Sequence, residues 1–292
     1  MQNANEVKSH IRAIGQTRKI TNAMHLVSSA RIKKMMSGVE YNRLYFRRVQ
    51  TAMQNILASG GEIKHPYLLQ KDGERTTFIV VSGDKGMVGS YNNDILSFAM
   101  KRIAAVPERN IIAVGASAVH FFRKHKIMPD IEIIGASQDP SLHHARHMAQ
   151  DIFRLYDLNL TDRVYIVYTQ FINSVKWRPH IRQLLPLDTA GDLNGDAFPE
   201  EMIYHPSKQE MFDLLVPQYT VGMIYGALLH SYASEHCSRM NAMQSATKNA
   251  DELLEQLWSK YNSIRQTAIT QEITEITGAA MALEEAQDGF EI

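Results

Sequence analysis

Residues 229–268 read LHSYASEHCSRMNAMQSATKNADELLEQLWSKYNSIRQTA. Within them Leu229, Ala233, His236, Met240, Met243, Thr247, Ala250, Leu254, Leu257, Tyr261, Ile264 and Ala268 recur in alternating steps of three and four. This period, kept over five heptads, is that of a left-handed coiled coil. No proline follows Pro217, and only Gly222 and Gly226 punctuate the stretch before Gly278. At 1.5 Å per residue a helix of about 65 residues spans roughly 100 Å. Such a helix cannot fold back into its own domain and needs a partner along its seam. A bundle of several shorter helices is the alternative on pattern alone.

The other end of the chain offers that partner. Residues from about Asn5 to Leu57 hold no proline and two glycines, Gly15 and Gly38. Val7, Ile11, Ile14, then Ile20, Met24, Val27, then Met36, Val39, Phe46, Val49, Met53 and Ile56 recur at helical spacing. The six-residue step from Ile14 to Ile20 moves this stripe to another face. The pattern predicts one long helix of imperfect periodicity, ended by Gly60-Gly61 and Pro66. At the far end, Ser207-x-x-Glu210 is a capping box. Pro217 is expected to break that first helix and to start the next.

The middle is different in kind. Residues 76–81, 110–114, 131–134 and 163–168 are β-branched apolar runs, with helical stretches near 93–105, 117–125 and 141–157 between them. This alternation predicts βαβ units and a mostly parallel sheet. Residues 177–187 alternate and suit an antiparallel edge strand. The expected fold is a long antiparallel coiled coil of N- and C-terminal helices with an inserted Rossmann-like α/β domain. Its parts are a helix over 1–60, an α/β domain over 74–187, a linker over 188–206 and a helix over 207–292.

Composition narrows the functional classes. The 292 residues are 45% hydrophobic and 21% charged, enough for an ordinary core. The net charge is zero, but its distribution is uneven. Ten basic residues against Glu6 and Glu40 fill residues 1–48, whereas every charge from Thr270 onward is acidic. Without aromatic interleaving in residues 1–40, the basic stretch fits an acidic protein partner at least as well as nucleic acid. Cys237 is the single cysteine, which excludes an intramolecular disulfide and fits a reducing compartment. The first residues lack a secretory apolar core, and no apolar run approaches the length of a membrane span.

Two motifs invite chemistry. Gly83-Asp84-Lys85-Gly86-Met87-Val88-Gly89-Ser90 follows the first strand, but its spacing matches neither a dinucleotide fingerprint nor a Walker loop. It reads as a tight turn, with Asn92 or Asn93 as the helix N-cap. His143 and His147 stand one helical turn apart, yet a third ligand is missing. They lie off an apolar face of Leu142, Ala145, Ala149 and Ile152, as solvated histidines do. The methionines, Met24 and Met240 among them, suit a core or an adaptable interface. No catalytic, cofactor or metal site follows from spacing.

Three segments carry a resemblance: Ile11–Ile14 with Lys19–Ala30; Ser82–Asn92; and Ser234–Met243, Ala246–Ala250 and Tyr261–Ile276. In order and spacing they resemble the gamma subunit of F-type ATP synthases across nearly the whole chain. The resemblance implies a rotor, one copy per complex, turning inside a hexamer of alpha and beta subunits. It implies an α/β body seated against epsilon and the ring of c subunits, and no catalytic residue of its own. By motif match, Met24, Lys19, Arg239, Arg265, Gln266, Thr270 and Glu272 fall at positions of coupling or contact. It also implies a bacterial enzyme peripheral to the cytoplasmic face of the plasma membrane, with no cofactor on this chain and no nucleic acid.

Small residues near the tip (Gly278, Ala279, Ala280, Ala282) suit a sliding bearing, and the acidic tail from Glu284 runs past the point where many relatives stop. Two other classes stand beside the rotor. One is a nucleotide-binding enzyme using the Gly83–Ser90 turn. The other is a coiled-coil scaffold self-associating through residues 240–268.

Overall fold

The computed structural model describes residues 4–59, 63–188 and 204–288, with side chains given up to Met281. The chain forms α1 (Ala4–Ala58), β1 (Thr76–Val81), α2 (Tyr91–Ile103), β2 (Arg109–Val114), α3 (Ala116–Lys124), β3 (Ile131–Ile133), α4 (Leu142–Asp157), β4 (Arg163–Phe171), β5 (Trp177–Leu185) and α5 (Lys208–Asp288). It divides into two compact units, Val27–Met240 and Met1–Leu26 with Asn241–Ile292. Gly60-Gly61 and most of the expected linker fall outside the described residues.

In the larger unit the β-branched runs pair as expected. The sheet order is β3-β2-β1-β4-β5, with β1 central. β1, β2, β3 and β4 run parallel, and β5 pairs antiparallel with β4. Strand alternation then divides the core in two. Phe78 and Val80 point to one face, where α2 and α3 bring Ile95, Ala99, Ile103, Ala118 and Phe122. Ile79 and Val81 point to the other face, where α4 brings Ala145, Met148, Ala149 and Ile152. That second face also receives Met53 and Ile56 of α1 and Phe212, Tyr219, Ile224 and Leu228 of α5. The terminal helices therefore serve as a layer of the α/β sandwich, and the apolar face of the sheet fixes where they cross it.

Three local expectations are corrected. Pro217 lies inside the uninterrupted α5. The missing backbone donor costs about 3 kcal/mol, but Phe212, Val216 and Tyr219 on either side are fully buried. Burying such side chains is worth about 1.5–3 kcal/mol each, which outweighs the break. Leu142, expected on the apolar face of α4, is 46% exposed, and Met148 is buried in its place. Neither Asn92 nor Asn93 caps α2. Ser90 holds the cap position, and the Asn92 side chain turns back to accept the Gly83 N–H at 2.9 Å. One half of the capping box forms, with Ser207 Oγ accepting the Glu210 N–H at 3.2 Å, while the Glu210 carboxylate accepts from the Ser207 hydroxyl at 3.2 Å.

Within each unit the two long helices run antiparallel. In the larger unit Tyr45 donates to Gln218, and Phe46 stacks on Tyr219. Asn42 meets Gly226, where a Cβ would stand 2.9 Å from its amide. In the smaller unit Thr21 and Thr247 share a hydrogen bond of 2.8 Å, and Arg18 pairs with Asp251. The seam on α5 keeps its heptad, since Met243 and Ala250 are buried and Leu254, Leu257, Tyr261 and Ile264 are partly covered.

On α1 one line of less exposed positions runs through Val7, Ile11, Ile14, Thr21, His25, Ser28, Ile32, Met35, Val39, Asn42, Phe46, Val49 and Met53, with Met24 and Ser29 among the half-buried residues beside it. With Arg18 that line forms an unbroken three-four repeat. Ile20, Val27 and Met36, expected in the stripe, are 60%, 53% and 42% exposed. The periodicity is regular after all, and polar residues occupy its middle.

Candidate functional site

An apolar side chain left in water marks a contact surface when it recurs along one face. In the smaller unit, no described residue covers α5 past Ile264, and every residue from Arg265 to Met281 is exposed. Ile269, Ile273 and Ile276 repeat there at steps of four and three, one stripe of a helix. Ile273 is 59% and Ile276 70% exposed. Ile20 and Leu26 of α1 are exposed too. Arg265, Gln266, Thr270 and Glu272 share this stretch of α5 and are all exposed. The Thr270 hydroxyl donates to its own helix at Gln266 O, 2.9 Å. Lys19 is exposed and Met24 half-buried, both on α1 of the same unit.

Arg239 stands apart from these six. It belongs to the larger unit and is 7% exposed. Its guanidinium donates to the Glu235 carboxylate at 2.5 Å and to the Gly86 carbonyl at 3.4 Å. Around it, α5 and the Gly83–Ser90 turn are knitted together. Ser238 Oγ donates to Val88 O at 2.6 Å, and Tyr91 OH donates to Ser231 O at 3.1 Å. Met87 and Gly89 take left-handed backbone angles (φ 59° and 55°), which bring the turn's carbonyls round to the helix.

On its other side the turn is tied by Asp84. This carboxylate accepts from Ala116 N at 2.8 Å, Ser137 Oγ at 2.6 Å and Gly135 N at 3.3 Å.

Charge in this cluster is held against burial. Desolvation raises the Glu235 pKa, and the neighbouring Arg239 opposes that rise. Desolvation, then the positive Arg239 and Arg31, push His236 down to about 3. At Gly83 the turn is closed by the helix, because a Cβ there would meet the Glu235 carboxylate at 3.0 Å. That carboxylate also carries the wrong sign for an anion. Among the described residues, no group of three or more His, Cys, Asp or Glu is placed to hold a metal. His143 and His147 are exposed, and His144 is taken by Ser141 and Asp139 O.

Comparison with known proteins decides the family. The ATP synthase family model ("ATP-synt") matches residues 3–283. The ATP synthase gamma chain of Ruminiclostridium cellulolyticum is 37% identical, over 97% of this chain and 99% of its own. That of Alkaliphilus metalliredigens is 36% identical, over 95% and 98%.

The chain belongs to the ATP synthase gamma-chain family.

Solved structures agree on the fold. A chain of the Euglena gracilis mitochondrial ATP synthase OSCP/F1/c-ring in rotational state 3 is 17% identical, with a TM-score of 0.72 over 97% of this chain and 95% of that one. A chain of the rotor of the same enzyme, in rotational state 1, gives 0.66 at 16% identity, over 91% and 98%.

Within this gamma-chain fold, sequence reasoning missed the buried polar residues Ser231, Ser234, Glu235 and Ser238. Their spacing of three, four and seven is the available signal, and their polarity disguised it. One segment of α5 also reaches a mean hydropathy of 1.2 over an 18-residue window, long and apolar enough to cross a membrane by length and composition alone, against expectation. More than half of it, 56%, is buried in the protein, as in a core helix.

Proposed function

We infer that the chain is the central-stalk rotor of a membrane ATP synthase, coupling ion translocation to ATP synthesis and hydrolysis. The observation that carries this reading is the end of α5, a helix with an apolar stripe left uncovered among the described residues. A surrounding hexamer of alpha and beta subunits supplies that cover. Epsilon and the c-subunit ring take the α/β body, and one copy serves each complex. The rotor carries no catalytic residue of its own and works on the cytoplasmic face of a bacterial plasma membrane, a placement supported by its bacterial relatives.

Arg265, Gln266, Thr270 and Glu272, with Lys19 and Met24, form its working surface. Their exposure supports this role, and the burial of Arg239 supports a different one. The nucleotide reading loses ground to Glu235, which fills the turn. The scaffold reading loses ground to α1, which already covers the seam at Thr247 and Asp251.

Native mass measurement of the purified assembly tests the reading, with one copy beside alpha and beta subunits as the expected stoichiometry. Met24→Lys tests the surface. A cation at this half-buried edge is expected to lower the ions pumped per ATP while the complex still assembles. Unchanged pumping per ATP would remove Met24 from the working surface.

A further inference from the structure

The Gly83–Ser90 turn is built with more directed bonds than a simple chain reversal needs. Ser231, Ser234, Glu235, Ser238 and Arg239 form one stripe of α5, each at most 7% exposed. Every one has a partner in the α/β body or within the stripe. Ser238 and Arg239 take the turn's carbonyls at Val88 and Gly86. Ser231 Oγ accepts the Thr169 N–H of β4 at 3.4 Å, while Ser234 Oγ donates to its own helix at His230 O, 2.8 Å, and lies 3.4 Å from Thr169 O. Asp84 passes the connection to the ends of β2 and β3 through Ala116, Gly135 and Ser137. Beyond the stripe, α5 meets the sheet mainly through apolar side chains, with His230 hydrogen-bonded to the Phe171 backbone and its ring against Tyr168. Apolar contact resists separation but has no preferred direction, whereas hydrogen bonds weaken steeply off-axis. Directed bonds that resist rotation of the helix against the α/β body are therefore concentrated in this stripe.

We propose that the stripe and the Gly83–Ser90 turn form a torsion joint, which makes the α/β body and α5 turn as one piece. The proposal rests on the rotor reading. Glu235 and Arg239 are positioning residues in it. Each holds the other in a buried place where neither charge is tolerated alone, and Arg239 is thereby aimed at Gly86. The single glycine at 83 leaves the space that the Glu235 carboxylate fills.

The test compares Ser238→Ala and Glu235→Gln with Tyr45→Phe. The last removes a hydrogen bond between α1 and Gln218 of α5, away from the turn. Hydrogen exchange on the full chain reads the grip. Amides 83–90 should exchange roughly tenfold faster in the first two variants and unchanged in Tyr45→Phe. Complexes in sealed vesicles then read torque, as the steepest ion gradient that ATP hydrolysis can build. That gradient should fall in the first two variants and hold in the third, with ATP turnover in leaky vesicles unaltered in all.

Unchanged exchange overturns the joint. So does faster exchange with an undiminished gradient, or an equal loss in Tyr45→Phe. If Glu235→Gln fails to fold, Ser238→Ala decides alone. A wild-type chain that never joins alpha and beta subunits overturns the rotor reading, and the joint with it. That failure is recognised because it appears without any substitution.

Discussion

His236 shows what one side chain gives up to be buried. Its ring is 4% exposed, tilted against Tyr232, and within 3.4 Å of the Arg239 guanidinium. Burial and the cations Arg239 and Arg31 lower its pKa to about 3. The folded value lies below the unfolded value, so the folded chain prefers the neutral ring. Stability from this preference is fully present above about pH 6.5 and is lost as pH falls toward 3, because unfolding then takes up a proton. The loss has a ceiling of about 1.4 kcal/mol per pH unit for one proton. His236→Gln is expected to be less stable than wild type at pH 7.5 and to approach it as pH falls to 5. Urea unfolding read from Trp177 of β5, in a Trp258→Phe background, measures this. Parallel curves for the two chains would show that His236 is not the group taking up the proton. His65 and His230 are lowered mainly by burial too, so a slope left in His236→Gln is expected.

At the scale of the element, the seam of the smaller unit tests whether polar residues in a coiled coil stabilise it or only specify it. Thr21 and Thr247 hydroxyls lie 2.8 Å apart, so one donates its proton across the seam while the other donates to its own helix, at Arg18 O for Thr21 or Met243 O for Thr247. A lone Thr21→Val keeps Thr247 satisfied by its helix, so the cost should be about 1 kcal/mol, near the net value of one hydrogen bond. Thr21→Val with Thr247→Val should recover that loss by packing methyl on methyl, yet permit slippage that the bond forbids. Chemical denaturation of the four chains in a double-mutant cycle reads the first effect, and cysteine cross-linking across the pair reads the second.

The same pair shows what was legible. The α5 heptad was plain because most of its seam is apolar. The α1 heptad was misread because Arg18, Thr21, His25 and Ser28 lie in the seam, while Ile20, Leu26 and Val27 lie outside. Hydrophobicity marks burial only where burial is the sole demand on a residue. Where an outer face also awaits a partner, the signal inverts. The strands were read nearly to the residue, since the sheet is covered on both faces by its own chain. The stripe of Ser231, Glu235 and Ser238 was illegible for the opposite reason, because its polar groups are satisfied only by a turn far away in sequence.

For the whole molecule, the division between what folds the chain and what the chain is for falls inside a single helix. Residues 208–264 of α5 contribute to core or seam, whereas residues 265–281 are exposed along their full length. A segment left exposed by every described residue contributes little to folding beyond its own helix. A chain ending at Ala268 should therefore fold as the full chain does. Its thermal midpoint should shift by no more than roughly 2 °C, the scale expected of less than about 1 kcal/mol in a chain this size. The same deletion removes Ile269, Ile273 and Ile276, with Thr270 and Glu272. Their burial against a partner is worth about 1.5–3 kcal/mol for each large apolar side chain. The shortened chain should consequently hold alpha and beta subunits more weakly, and the assembled enzyme should pump fewer ions per ATP. Calorimetry of the isolated chain and co-purification with alpha and beta subunits separate the two effects. A midpoint lowered by 10 °C would mean that the end of α5 packs against its own chain. Stability would then have selected its isoleucines, and the working surface would have to be sought elsewhere.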